Sequence, residues 1–168
     1  MPDFVIAVIG PGRTDAPLAA AAREVGAALA EAGATVVCGG LGGVMEAVAE
    51  GVRAGGGTVV GILPGDDRAA GNRHLTVAIA TGLGETRNAL VVRAADAVIA
   101  VGGEYGTLSE IAFGLKLGRP VVGLDTWEIG KAGRADPGIL RAADPAEAVV
   151  MALAAAEGDR QPGGSGWS

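Results

Sequence analysis

Cysteine, histidine, lysine and aromatic residues are all scarce in this chain of 168 residues: one Cys, one His, two Lys and 3% aromatics. Cys38 alone excludes an intramolecular disulfide. No Cys/His cluster has zinc-ligand spacing around His74 or elsewhere, so no metal site is expected. The two lysines, Lys116 and Lys131, lie outside the predicted site loops, which removes Schiff-base chemistry with pyridoxal phosphate. With a formal charge of −6 and no Lys/Arg block, the chain lacks the electrostatic footprint of a nucleic-acid binder. No apolar run approaches the roughly 20 residues of a membrane span, and no signal-type segment opens the chain. It reads as a soluble, cytoplasmic protein with no membrane partner.

Glycine is abundant, at 30 residues, and 49% of the chain is apolar. The core must therefore come from Ala, Val, Ile and Leu on closely approaching backbones, as in α/β packing. The length fits one domain, residues 1–157, followed by a Gly/Pro/Ser-rich tail, 158–168, expected to be disordered.

Short apolar runs alternate with helical patterns. Strands are predicted over Phe4 to Ile9, Thr35 to Cys38, Thr58 to Leu63, Leu75 to Ala80, Ala97 to Val101 and Pro120 to Leu124. Helices are predicted from Pro17 to Glu31, Gly43 to Ala54, Glu85 to Ala94, Tyr105 to Leu117, and Pro145 to about Ala156 with Asp144 as N-cap. This alternation predicts a Rossmann-like, doubly wound, mostly parallel sheet with helices on both faces. Ligands on such sheets sit beyond the carboxyl ends of the strands, where the glycine loops of this chain fall.

After the first strand, Gly10 and Gly12 let the backbone approach a ligand and Arg13 can reach a phosphate, although a plain turn explains the same residues. The second loop supplies Gly39, Gly40, Gly42 and Gly43 at a helix start, where backbone N–H groups can face an anion. Without a Walker Lys-Ser/Thr pair it is not a nucleoside triphosphatase loop. Met45 is expected in the core, and Glu46 is explained by the helix dipole alone.

Arg87, with Thr86 and Asn88 beside it, stands near a helix N-terminus where a cation opposes the dipole, which points to an anionic partner. In GGEYGTLSE, Gly102, Gly103 and Gly106 flank a turn, Thr107 can bind phosphate, and Glu110 presents a carboxylate. Thr107 and Glu110 also have the spacing of a capping box, a purely structural alternative. Glu104 and Tyr105 read as exposed loop groups, and Asp66, Asp67, Arg68 and Arg73 as a solvated lid.

These motifs together resemble the LONELY GUY-type, lysine decarboxylase-like superfamily, over Phe4 to about Ala156. The family signature Pro-Gly-Gly-x-Gly-Thr-x-x-Glu is read onto Gly102, Gly103, Gly106, Thr107 and Glu110, with Val101 against the proline. The resemblance implies a Rossmann-like fold, a homodimer or larger oligomer, and catalytic roles for Arg87 and Glu110 in releasing an adenine-type base from a nucleoside 5′-monophosphate. The lysine that follows the family arginine is Asn88 here, and the second loop looks closer to the molybdenum cofactor carrier branch, which binds a phosphorylated pterin without turning it over.

Two functions follow. The first is a phosphoribohydrolase that needs no cofactor, in which the glycine loops and Thr107 hold the 5′-phosphate, Arg87 orients the ligand and Glu110 assists water at C1′. The second is a carrier of molybdopterin or a nucleotide by the same loops. Retention of both Arg87 and Glu110 puts the enzyme first.

Overall fold

The computed structural model describes residues 3–160. Six of its strands are short apolar segments: β1 (Val5–Ile9), β2 (Thr35–Cys38), β3 (Val59–Leu63), β4 (Val77–Ala80), β5 (Ala97–Val101) and β6 (Val121–Leu124). With β9 (Ile139–Arg141) they form one seven-stranded sheet in the order β4-β3-β2-β1-β5-β6-β9, and every pair is parallel. A separate antiparallel hairpin joins β7 (Gly130–Lys131) to β8 (Arg134–Ala135). The Rossmann-like fold expected from the sequence is the one observed.

Successive strand residues feed opposite layers. Ile6 and Val8 of β1 join α1 (Ala16–Glu31), α2 (Val44–Ala54) and α5 (Pro145–Arg160) in one cluster. Ala7 and Ile9 enter the other cluster, under α3 (Asn88–Arg93) and α4 (Tyr105–Lys116). A parallel strand buried on both faces must be apolar throughout, which is why these runs do not alternate with polar residues. Cβ atoms at Gly26 of α1 or Gly51 of α2 would strike the carbonyls of Val48 and Arg23, so these glycines let the two helices touch backbone to backbone.

Several predicted bounds shift. The segment from Glu85 to Ala94 divides into a 3-10 turn, Gly84–Arg87, and the α-helical α3. Strands β7, β8 and β9 were not foreseen; β9 has only three residues, and Arg141 lies within it. Helix α5 runs past Ala156 to Arg160, where the guanidinium binds Asp96 at 2.6 Å and lies over the ring of Phe4. The first three residues of the expected tail are thus helical, and 161–168 lie outside the described residues.

Asp15 caps α1 by accepting from Leu18 N at 2.9 Å, and Asp144 caps α5 by accepting from Glu147 N at 2.8 Å. Among the described residues, no helix is long and apolar enough to cross a membrane.

Candidate functional site

In a parallel sheet all carboxyl ends lie along one edge, so the loops after β1, β2, β3 and β5 meet there whatever their separation in sequence. They enclose a crevice of about 470 Å³. Gly10, Pro11 and Gly12 form one wall, with Gly39, Leu41 and Met45 from the β2 loop and the start of α2. Pro64 and Glu85 close the β3 end, while Glu104, Gly106 and Thr107 close the β5 end. Arg87, Asn88 and Glu110 also line it.

The glycine loops are locked to each other. Val44 N donates to Pro11 O at 3.0 Å, and Gly43, the residue before α2, has φ +65. A side chain there would be strained and would run into the Pro11-Gly12 backbone. Gly10 is equally confined: a Cβ would lie 2.5 Å from Val101 O and from a methyl of Val44. At Gly39 a Cβ would lie 2.8 Å from Arg87 Nη2, so the missing side chain is what admits the guanidinium.

Arg87 retains only 8% of its accessible surface, Glu110 7% and Thr107 2%. Nη2 of Arg87 donates to Gly39 O across a long 3.4 Å, and among the described residues its buried Nε has no partner. The buried Oδ1 of Asn88 is likewise unpartnered. Burial pushes the Glu110 carboxyl up to about 7, with the Arg87 charge pulling the other way. Burial lowers Arg87 from the usual guanidinium range, an effect that Glu110 opposes. Cys38, beneath the loop, is pushed up to about 11 by burial, so its thiol stays protonated and inert.

The capping-box alternative fails on geometry. Helix α4 starts at Tyr105 with Glu104 as N-cap, so Thr107 is already inside the helix and its partner Glu110 is turned to the crevice. Neither Glu104 at α4 nor Gly43 at α2 provides a side-chain cap. Apart from Val44 N, which Pro11 O takes up, two helix N-termini therefore bring N–H groups and partial positive charge to this edge, as an anion site requires.

Of the residues singled out in the sequence, the crevice collects Gly10, Gly12, Gly39, Arg87, Asn88, Gly106, Thr107 and Glu110. Arg13 and Thr86 are exposed and outside its wall; Gly40, Gly42, Gly43, Gly102 and Gly103 shape the turns without lining it. Met45, assigned to the core, belongs both to the core and to the wall. Ile9, Pro11, Leu41, Pro64, Glu85 and Glu104 were missed. The residues expected to form a solvated lid, Asp66, Asp67, Arg68 and Arg73, are exposed; within this segment Asp67 caps a 3-10 turn, and Asn72 binds the carbonyls of Gly40 and Leu41 through its backbone and side-chain nitrogens.

Glu104 also corrects the reading of the signature. Two residues, Glu104 and Tyr105, separate Gly103 from Gly106 where the signature has one. Counted back from Gly106-Thr107 and Glu110, its proline falls on Gly102 and its second glycine on Glu104, while Val101 is the last residue of β5.

Residues 3–150 match the sequence profile of the SLOG cluster4 family. The chain belongs to that family. It is 47% identical over 119 residues to a protein of Archaeoglobus fulgidus, covering 71% of this chain and 78% of that one. Among solved structures, it resembles the molybdenum cofactor binding protein of Rippkaea orientalis at TM-score 0.82 and 30% identity, over 92% of this chain and 98% of the other. The Moco carrier protein of Chlamydomonas reinhardtii superimposes at TM-score 0.81 and 32% identity, over 94% and 99%. This chain and these two proteins thus share the fold over more than nine-tenths of the chain.

Proposed function

We propose that this SLOG cluster4 protein binds a phosphorylated, pterin-type ligand in the strand-edge crevice and carries it without turnover in the cytoplasm, with molybdenum cofactor as cargo. The observation that carries this reading is the meeting of a buried, under-bonded Arg87 with two uncapped helix N-termini at one cavity. Backbone N–H groups and a guanidinium are what a phosphate group needs, and the volume is that of a small-molecule site. Likeness over more than nine-tenths of the chain to a molybdenum cofactor binding protein and a Moco carrier protein supports the cargo. The test is mass spectrometry and molybdenum analysis of protein purified anaerobically from cell extract. Stoichiometric pterin and metal in the wild type, lost in Arg87→Ala, are expected; protein free of both overturns the cargo.

A second reading, the phosphoribohydrolase implied by the LONELY GUY-type resemblance, is favoured by Glu110 alone. A carboxyl near 7 beside a cation is poised to exchange protons at neutral pH. Release of free adenine from AMP, abolished in Glu110→Ala, would establish it. Large apolar side chains exposed at Val77, Ile79, Leu83 and Leu90 support the homo-oligomer expected of the family, for which light scattering is the measurement.

A further inference from the structure

The crevice is more acidic than a phosphate site requires. Among the described residues Arg87 is the single cation in its wall, against the acidic side chains of Glu85, Glu104 and Glu110. Glu110 is buried beside Arg87, but Glu85 and Glu104 are exposed and sit at opposite ends. Glu85 follows the turn in which Gly84 N donates to Pro64 O, at the β3 end, and Glu104 follows β5. Four adjacent strands, β5-β1-β2-β3, separate them, a width of about 14 Å at ordinary strand spacing.

Glu104 is the better placed to read a ligand. It occupies the N-cap of α4 in extended conformation, yet its side chain caps nothing, and its carboxylate has no ion pair or hydrogen bond among the described residues. Its backbone is held firmly. Trp127 Nε1 donates to Glu104 O at 3.2 Å, the indole covers Gly103, and Tyr105 stacks on it at 5.7 Å. A carboxylate on a braced turn, in the wall of the crevice and without a partner in the chain, is free to accept from a ligand.

We propose that Glu104 is a specificity-determining residue that accepts hydrogen bonds from the N–H edge of a 2-amino-pyrimidinone ring, the edge shared by pterins and guanine. In that ring an amide N–H and an adjacent exocyclic amine point the same way, a spacing that the two oxygens of one carboxylate match. Adenine offers a ring-nitrogen acceptor beside its amine and would face the carboxylate lone pair to lone pair. Glu104 thus selects the heterocycle while the glycine amides and Arg87 hold the phosphate, so the assignment rests on the phosphate-binding reading above.

Calorimetric titration of the full chain with GMP, AMP and neopterin monophosphate, repeated on Glu104→Gln, tests it. The wild type should bind GMP or the pterin at least about tenfold more tightly than AMP, the discrimination expected of a paired contact. Glu104→Gln should abolish that preference and leave AMP binding equal or tighter, since a negative charge near the phosphate is removed. Tighter binding of the pterin than of GMP names a pterin as the natural ring, and the reverse names guanine. Equal affinity of the wild type for GMP and AMP, or a parallel loss of both in the variant, overturns the role of Glu104 while leaving phosphate binding intact. Failure of all three ligands to bind overturns both.

Discussion

The two edges of the sheet treat their charged residues in opposite ways. At the amino edge, Asp96 accepts from Val5 N at 2.9 Å and from Arg160 at 2.6 Å, while Arg160 also donates to Asp3 O and lies over Phe4. Asp96 and Arg160 there both find partners within the chain. At the carboxyl edge, Arg87 has one long bond and an unmatched Nε, Asn88 Oδ1 is bare, and Glu110 is held protonated into the neutral range by burial. A buried polar group without a partner costs stability. The charged pair at the amino edge serves the fold, and the carboxyl edge leaves bonding capacity unused within the described residues.

The largest effect should come from Glu110. Its carboxyl titrates near 4.5 when unfolded and near 7 when folded, so the native state holds the proton more tightly. The associated stability is complete below pH 4.5 and is lost as pH rises through 7, by about 3 kcal/mol. Glu110→Gln, which cannot ionise, should be more stable than the wild type at pH 8 and equal to it near pH 4, by denaturant titration at both pH values. A variant less stable at pH 8 would place Glu110 with the structural residues of the amino edge.

Next in size is Arg87→Ala, expected to weaken binding of a phosphorylated ligand by about 10- to 100-fold, the worth of a charged hydrogen bond. Its melting temperature should change little, because a desolvated cation is removed along with its one poor bond. Asp96→Ala should do the reverse, lowering stability by about 1–2 kcal/mol through the bonds to Val5 N and Arg160, with ligand affinity unchanged. Paired melts and titrations on these two variants measure the contrast between the edges. The smallest effect is expected from Trp127→Phe, which removes the indole N–H to Glu104 O and should cost about 0.5–1 kcal/mol in thermal unfolding.

Patterns set by neighbours in sequence were legible beforehand. The continuous apolar runs of β1, β2 and β5 report a strand buried on both faces, and the glycines after them report a strand edge. What escaped depends on distance. Gly39 and Arg87 are 48 residues apart, and only the folded chain puts the guanidinium where a Cβ would have been. Thr107 and Glu110 have the spacing of a capping box, but the helix begins two residues before Thr107, so the same spacing serves the crevice. Asp144 and Glu147 come near such a box at α5: Asp144 accepts from Glu147 N, and Glu147 accepts at 2.6 Å from the N–H of Ala143, one residue before the cap. Strand β9 was missed because three residues at a sheet border, paired on one side only, carry almost no pattern of their own. In the sequence Glu104 has the signal of a loop residue, because its carboxylate serves neither core nor cap.

The burial of Cys38 has a practical side. With its thiol sealed in the core and held near 11, the natural chain offers maleimide reagents no reactive sulfur. A cysteine placed by Tyr105→Cys, at a position 79% exposed beside the crevice, would take a fluorophore at that point alone. Its emission would report ligand entering or leaving the crevice in real time, and its comparison with the unlabelled chain would show what the stacking of Tyr105 on Trp127 contributes.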